Sequence, residues 1–270
     1  MTAPLKGVRI IECANWLAGP SGCALMADLG ADVIKIEPPT GDPFRAFQLS
    51  WQSPDVPFNP TFQLDNRGKR SITIDLTHPE GPALLVRLTA GADIFVTNLL
   101  PARQERYGLT YEALRAQYPG LIFVSVSGYG AFGPDLNRPG FDYSAFWARS
   151  GLMGLMGEPG SPPPVQRPGI GDHSTALNVM ASVLAALRRR DQTGEGLCVE
   201  VSLLATGLWV LASDLSAALV ARKIPPRYSR ARPFNPIWNA YLTRDKHWLL
   251  LVMPHPDPYW PGFCRATSLI

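Results

Sequence analysis

The sequence predicts an α/β protein built around a parallel sheet. Short apolar runs of strand length recur along the first 200 residues and alternate with helical segments. The first two runs, Val8–Cys13 and Asp32–Glu37, flank a helical segment that opens on the turn Gly19-Pro20, which is the pattern of a β-α-β unit. A later run, Leu121–Ser127, is continuously apolar, as expected of a parallel strand covered on both faces.

The remaining elements follow the same alternation. The predicted strands are Val8–Cys13, Asp32–Glu37, Ser71–Asp75, Asp93–Thr97, Leu121–Ser127 and Leu197–Val201. The predicted helices are one from the Gly-Pro turn to about Leu29, then Pro79–Gly91, Tyr111–Gln117, Phe141–Met156, His173–Arg190 and Ser202–Ala221. The long connection Pro38–Leu64 is rich in proline and aromatic residues, which indicates either a functional loop or a surface wrap packed by its own rings.

A change of composition near residue 222 predicts a second region. The basic, proline-rich stretch Arg222–Pro236 indicates a linker. Two β runs follow, Trp238–Thr243 and Trp248–Met253, and then a short helical start. We therefore expect a large domain at 1–221, a linker at 222–236, and the beginning of a smaller α+β domain at 237–270.

Composition excludes several classes of protein. With 46% apolar and 17% charged residues the chain is expected to fold, and a net charge of only +3 argues against a dedicated nucleic-acid binder. The N-terminus lacks a secretory leader pattern, and no apolar run reaches membrane-spanning length. The four cysteines form no CxxC pair. We expect a reduced, cytoplasmic protein with no membrane and no metal.

The stretch around Asp172 carries the clearest chemical signal. A proline-rich lead turns through Gly169 and Gly171, presents Asp172, and runs into an apolar helix. Asp172 is then either an N-cap, a common role for Asp before a helix, or a carboxylate nucleophile on a turn of small residues. His173 adjoins it, but neighbours on a helix point apart, so a packing or surface role is favoured over that of a base.

Three further motifs have two interpretations each. Lys69 and Arg70, in the segment Asn66–Arg70, could clamp phosphates or form a solvated basic turn. Asn98 follows a strand, where α/β folds place ligand contacts, but could also start a helix. The pattern GxGxxG occurs at Gly128–Gly133 without a helix directly after it, so we interpret it as a chance match rather than a dinucleotide site.

Taken together and in order, several segments resemble one family. They are PLKGVRIIE, LAGPSG, LMADLGADVIKIEPPTGD, NRGKRSITIDL, TNLLPARQERYGL, LIFVSVSGYGAFGP, RPGFDY and GDHST. The chain resembles the class III CoA-transferases (CaiB/BaiF type), a group that includes formyl-CoA transferase and the α-methylacyl-CoA racemases. The resemblance extends from about Pro4 to at least Cys264.

This resemblance implies a Rossmann-like large domain, a smaller domain and an interlocked homodimer. It places Asp172 at the family's catalytic aspartate and implies that the CoA thioester is a substrate, with no permanently bound cofactor. It assigns substrate contacts to Asp142, Leu17 and Gly171. It assigns contacts with CoA to Ala18, Lys69, Arg70, Asn98, Leu99 and Arg106.

Departures from the family pattern shape the functional expectation. Leu17 replaces the Gln of formyl-CoA transferase, which favours a less polar acid than formate or oxalate. Phe141 replaces the proton-carrying His of the racemases, so a racemase-like isomerase ranks below a transferase. Family members are longer, so we expect a truncated chain, and a CoA-binding remnant without activity is a third possibility. The expected activity is CoA transfer to a carboxylic acid through an aspartyl anhydride and an aspartyl-CoA thioester.

Overall fold

The computed structural model describes residues 3–47 and 56–268, so residues 48–55 of the long connection lie outside it. Six strands form one sheet: β1 Arg9–Cys13, β2 Asp32–Glu37, β3 Arg70–Thr73, β4 Ile94–Thr97, β5 Ile122–Ser127 and β6 Cys198–Ser202. Their order is β3-β2-β1-β4-β5-β6, and every neighbouring pair is parallel. The predicted α/β class is confirmed, and the strand order is that of a doubly wound Rossmann-like sheet.

The described residues also form α-helices. They are α1 Ala18–Asp28, α2 Pro60–Asn66, α3 Gly81–Thr89, α4 Pro101–Tyr107, α5 Tyr111–Gln117, α6 Leu152–Leu155, α7 Ile170–Thr193, α8 Leu203–Val210, α9 Ala212–Ala221 and α10 Trp260–Ala266. A 3₁₀ turn at Pro43–Ala46 and a π-helix at Asp142–Arg149 complete the set.

Two of the expected helices have different boundaries. The helix expected at Phe141–Met156 is the π-helix followed by α6, with Gly151 at a φ of 101° between them, a value that interrupts helical geometry. The helix expected at Ser202–Ala221 is divided into α8 and α9 at Leu211. Within the described ranges no single helix could cross a bilayer; α8 and α9 meet the requirements for length and composition only as a bent pair.

The core of the sheet explains why the central strands are rich in apolar residues. Ile11, Phe95 and Phe123 are buried on one face, with the two phenyl rings stacked 5.7 Å apart. On the other face α1 packs against α7. A Cβ atom on Gly22 of α1 would lie 2.8 Å from Cγ1 of Val179, so the glycine permits the close approach of the two helices. This packing fixes the start of α7 near the start of α1.

The chain divides into two compact units. The first contains the described residues up to Leu152 and Gln166–Ser213, and therefore the whole parallel sheet. The second contains Met153–Val165 and the described residues from Asp214. In it β7, Trp238–Leu242, and β8, Trp248–Val252, form the antiparallel hairpin that the sequence predicted. The domain boundaries proposed from the sequence stay a prediction.

Candidate active site

A cleft of about 1360 Å³ lies in the first unit at the carboxyl ends of the central strands. β1 and β4 are neighbours whose connections leave on opposite faces of the sheet, so their ends form the topological switch point where such folds bind ligands. The cleft is lined from several elements by Asn15, Trp16, Leu17, Ala18, Phe44, Phe47, Thr61, Leu64, Asn98, Leu99, Phe141, Asp142, Arg167, Asp172 and His173, among others.

Two asparagines join the ends of β1 and β4 at this point. The Asn15 backbone N–H donates to Oδ1 of Asn98 at 3.1 Å, and Nδ2 of Asn98 donates to the Asn15 carbonyl at 2.8 Å. The alternative in which Asn98 starts a helix is wrong, because α4 begins at Pro101 after Leu100. Asn98 instead fixes the spacing of the two loops that form the floor of the cleft.

Asp172 lies in the first turn of α7 rather than before it. Gly169, with a φ of 82°, precedes the helix, so the N-cap interpretation of Asp172 is wrong. The residue therefore lies in the turn whose backbone N–H groups have no partner within the helix. Burial, and next the negative charge of Asp142, raise the pKa of Asp172 to about 7 from 3.8, while the charge of His173 opposes that rise.

The backbone beside Asp172 is held by close packing. A Cβ atom on Gly171 would lie 2.6 Å from Cγ of Phe146 in the π-helix, so only glycine fits. From the same π-helix, Oδ2 of Asp142 accepts a hydrogen bond from the Gly169 N–H at 2.9 Å. Burial is also the main cause that raises the pKa of Asp142. The π-helix therefore positions the first turn of α7 through both a ring and a carboxylate.

His173, the next residue of α7, lines the same cleft as Asp172. Nε2 of His173 lies 3.0 Å from Oδ1 of Asp65 in α2. That hydrogen bond is the main cause that raises the pKa of His173 above 6.5. Sequence reasoning did not identify Asp65, because 108 positions separate it from His173 and no motif connects them.

One wall of the cleft is aromatic. The Trp16 ring contacts Phe44, Phe47 and Phe141 with centroid separations of 6.1, 5.9 and 5.8 Å, the last pair edge to face at 87°. Trp16 has a φ of 67°, an unusual conformation for a bulky residue, and its backbone N–H donates to Oδ1 of Asp42 at 3.3 Å. This backbone conformation places the indole beside Leu17 at the cleft.

The structure brings together six of the site residues expected from the sequence. Leu17, Ala18, Asn98, Leu99, Asp142 and Asp172 line the cleft. Gly171, Lys69, Arg70 and Arg106 are not among its lining residues. Gly171 faces Phe146, and the Arg106 guanidinium lies 5.7 Å from the ring centre of Tyr107.

Lys69 and Arg70 are engaged elsewhere in this structure. The Lys69 side chain is buried, with Nζ 2.7 Å from Oε2 of Glu12 and 2.8 Å from the Pro20 carbonyl oxygen. Arg70, at the amino end of β3, pairs with Asp32 on the surface. Neither of the two alternatives for this segment, phosphate clamp or solvated turn, describes Lys69. Its ammonium group is a buried counterion.

The expected chance match at Gly128–Gly133 has a packing explanation. A Cβ atom on Gly128 would lie 2.7 Å from Cα of Gly140, so this glycine permits two loops to meet.

All four cysteines are free, and three of them are buried. Within residues 3–47 and 56–268, no three His, Cys, Asp or Glu side chains are grouped to hold a metal ion.

Comparisons with known proteins give one consistent family. The model of CoA-transferase family III matches residues 5–269. The chain is 36% identical over 265 residues to (R)-2-hydroxy-4-methylpentanoate CoA-transferase of Clostridioides difficile, which covers 98% of this chain and 66% of the relative. It is 37% identical over 269 residues to cinnamoyl-CoA:phenyllactate CoA-transferase of Clostridium sporogenes, covering 99% and 65%.

A solved structure agrees with these matches. A CAIB/BAIF family protein from Brucella suis superposes with a TM-score of 0.87 at 32% identity, covering 99% of this chain and 70% of that one. The chain spans just under two thirds of the length of the two curated relatives named above. The resemblance inferred from the ordered motifs is confirmed, and the chain belongs to CoA-transferase family III.

Proposed function

We propose that this chain forms the CoA-transferring site of an enzyme that moves CoA from an acyl-CoA donor to a carboxylic acid, with Asp172 as nucleophile. The observation that carries the proposal is the position of Asp172, in the first turn of α7 at the cleft of the Rossmann-like sheet. Helix N–H groups there can stabilise the oxyanion that develops during acyl transfer. Family membership supports the same chemistry.

The proposed sequence of steps needs no redox partner and no net proton transfer. The Asp172 carboxylate attacks the donor thioester carbonyl and the C–S bond breaks. CoA departs as a thiolate, and an aspartyl anhydride is formed. The thiolate attacks the aspartyl carbonyl, which releases the donor acid and forms an aspartyl-CoA thioester. The acceptor carboxylate then attacks that thioester, and the released thiolate takes the acceptor acyl group from the second anhydride. Asp172 is regenerated as a carboxylate.

The aromatic wall supports an apolar acid as one of the substrates. Trp16, Phe44, Phe47 and Phe141 line the cleft together with Leu17 and Asp172, so a branched or aromatic side chain would bury apolar surface there. Two relatives are named for 2-hydroxy-4-methylpentanoate and for phenyllactate, a branched and an aromatic acid. An apolar ring at Phe141 carries no proton, which supports transfer over racemisation.

We also propose that the active protein is a homodimer in the cytoplasm. In the second unit, large apolar side chains are exposed, including those of Phe234, Trp238, Trp248 and Leu250. Exposed apolar surface of this kind is typical of an interface. Sedimentation equilibrium would give a mass of twice the chain, and a monomer at micromolar concentration would contradict this part of the proposal.

Covalent trapping tests the nucleophile directly. The purified protein is incubated with a panel of acyl-CoAs, quenched with hydroxylamine and digested for mass spectrometry. A hydroxamate on Asp172 that is absent from Asp172→Asn is expected. Asp191→Asn is the matched control, since Asp191 lies exposed in the same helix. No adduct in a protein that binds CoA would contradict the proposal.

A further inference from the structure

A buried carboxylate in α2 holds a histidine that lies next to the proposed nucleophile. The Asp65 side chain is 2% exposed, and its Oδ1 lies 3.0 Å from Nε2 of His173. The His173 side chain is 42% exposed and lines the cleft. The pair therefore connects the buried side of α2 to the first turn of α7.

The surroundings of Asp65 favour a positive charge on its partner. Oδ2 of Asp65 has no hydrogen-bond partner among the described residues. A buried carboxylate that accepts so little hydrogen bonding is costly unless a cation lies beside it. A carboxylate only accepts hydrogen bonds, so Nε2 of His173 is the donor to Asp65, and a second proton on Nδ1 would supply the compensating charge.

The histidine ring also lies close to the backbone of Gly169. A Cβ atom on Gly169 would lie 3.2 Å from Cε1 and 3.3 Å from Nδ1 of His173, so the ring rests against the residue that precedes α7. The Gly169 N–H is in turn bonded to Asp142. The imidazole is thus held between Asp65 and the turn that Asp142 fixes.

The charges that act on Asp172 come from three elements. Asp142 in the π-helix and Asp65 in α2 disfavour its ionised form, and His173 favours it. The other titratable groups on elements packed against α7 are Cys198 and Glu200 in β6, Tyr143 and Arg149 in the π-helix, and Cys23 and Asp28 in α1. Arg149 pairs with Asp135, and Asp28 pairs with Arg67. When protonated, His173 is the cation on this helix turn that opposes two carboxylates.

We propose that Asp65 is a positioning residue that acts through His173, holding its imidazolium against the first turn of α7 so that Asp172 stays ionised for attack. This inference rests on the nucleophile role proposed above. It assigns to the chain an Asp65–His173–Asp172 series in which only Asp172 forms a bond to the acyl group.

The two single variants should differ in a way that packing alone would not produce. His173→Gln removes the cation and leaves the Asp65 charge, so the pKa of Asp172 should rise most. Asp65→Asn removes a negative charge, which lowers the pKa of Asp172, and also makes His173 harder to protonate, which raises it. These two effects partly cancel, so the pKa of Asp172 should rise less than in His173→Gln. The double variant should resemble Asp65→Asn rather than the sum of the two.

Two readouts test this series. The first is the pKa of His173 by NMR of its ring nitrogens in the resting protein, assigned with His173→Gln; Asp65→Asn should lower it. The second is the acidic limb of kcat/KM against pH. For His173→Gln we expect a loss of about tenfold at pH 6 and little loss at pH 9, with the limb moved up by about one pH unit. Asp191→Asn should change neither.

The outcomes separate this inference from the transfer proposal. If the His173 pKa is unchanged in Asp65→Asn, or falls while the acidic limb stays in place in both variants, the inference is overturned. If the wild-type protein transfers no CoA, carboxyl-carbon NMR of Asp172 replaces the kinetic readout, and an unchanged Asp172 pKa in His173→Gln overturns the inference on its own. If Asp65→Asn does not fold, His173→Gln alone decides.

Discussion

Nζ of Lys69 lies 2.7 Å from Oε2 of Glu12, and the two side chains are 2% and 0% exposed. Lys35 Nζ binds the other Glu12 oxygen at 2.8 Å and lies 2.8 Å from Oδ2 of Asp42. These lysines outweigh the effect of burial and lower the pKa of Glu12. Asp42 also accepts from the Trp16 N–H, so the buried charges support the loop that carries the aromatic wall.

Loss of Lys69 should therefore destabilise the fold rather than weaken CoA binding alone. Lys69→Gln leaves the buried Glu12 with one cation instead of two, and breaking a buried pair costs about 3–5 kcal/mol. Urea unfolding would measure the loss. Arg70→Gln is the matched control: its pair with Asp32 is exposed, so the change should be within about 1 kcal/mol. Normal stability of Lys69→Gln with weakened CoA affinity would restore the phosphate-clamp interpretation.

The stability of the protein should depend on pH through Asp172. Its pKa is about 7 in the fold against 3.8 ordinarily, so the folded state binds the extra proton between these values and loses stability as pH rises through them. Asp172→Asn removes that loss. The unfolding free energy of Asp172→Asn minus that of wild type should grow from pH 4 to pH 7 and then level off. It should reach at least about 1.4 kcal/mol, which corresponds to a shift of one pKa unit.

Chemical denaturation at pH 5 and pH 8 measures this difference. Asp191→Asn, in the same helix but exposed, should show no such trend. An Asp172→Asn protein that is less stable than wild type at pH 8 would mean that the carboxylate is stabilised in the fold, contrary to the effect of its partial burial and of the Asp142 charge.

A methyl group at Gly171 should disturb the site without changing any charged residue. Gly171→Ala places a Cβ against the Phe146 ring, and overpacking of this kind costs about 1–3 kcal/mol. Because Asp172 is the next residue, we expect at least a tenfold loss of kcat as the first turn of α7 moves. Gly154→Ala is the control, since a Cβ there meets no atom within 4 Å. Equal effects of the two substitutions on kcat would refute this role of Gly171.

The fold could be predicted from the sequence, but only part of the candidate site could. Alternating apolar runs predicted all six parallel strands because buried strands and helices have distinct lengths and flanking turns. Asn98 could be placed at the cleft because parallel strands end at one edge of a sheet. Glu12 and Lys35 lie inside apolar runs and are buried, but they were not singled out from the sequence.

What the sequence could not supply were pairings made by tertiary packing. The contact of Asp65 with His173 depends on how α2 packs under α7, and no periodicity records it. The family resemblance assigned Lys69 to CoA, and a basic turn gives no indication of which way its ammonium group points. Trp16 was overlooked because its positive φ is set by the loop rather than by the residue itself.

Trp16 should determine which acids the protein accepts. Trp16→Ala keeps a Cβ at the positive φ and removes the ring that contacts Phe44, Phe47 and Phe141. Losing about 50–100 Å² of apolar contact with an aromatic acid amounts to about 1–2.5 kcal/mol, so kcat/KM for phenyllactate should fall about tenfold. For succinate, which has no ring to bury, the change should be less than about threefold.

The measurement is a comparison of kcat/KM for the two acids with one acyl-CoA donor in wild type, Trp16→Ala and Trp209→Ala. Trp209 is 74% exposed on α8 and is not among the residues that line the cleft, so its removal should leave both values unchanged. If wild type prefers succinate and Trp16→Ala affects both acids equally, the aromatic wall supports the loop without selecting the substrate. A selective loss for the aromatic acid would identify Trp16 as the residue that sets specificity in this cleft.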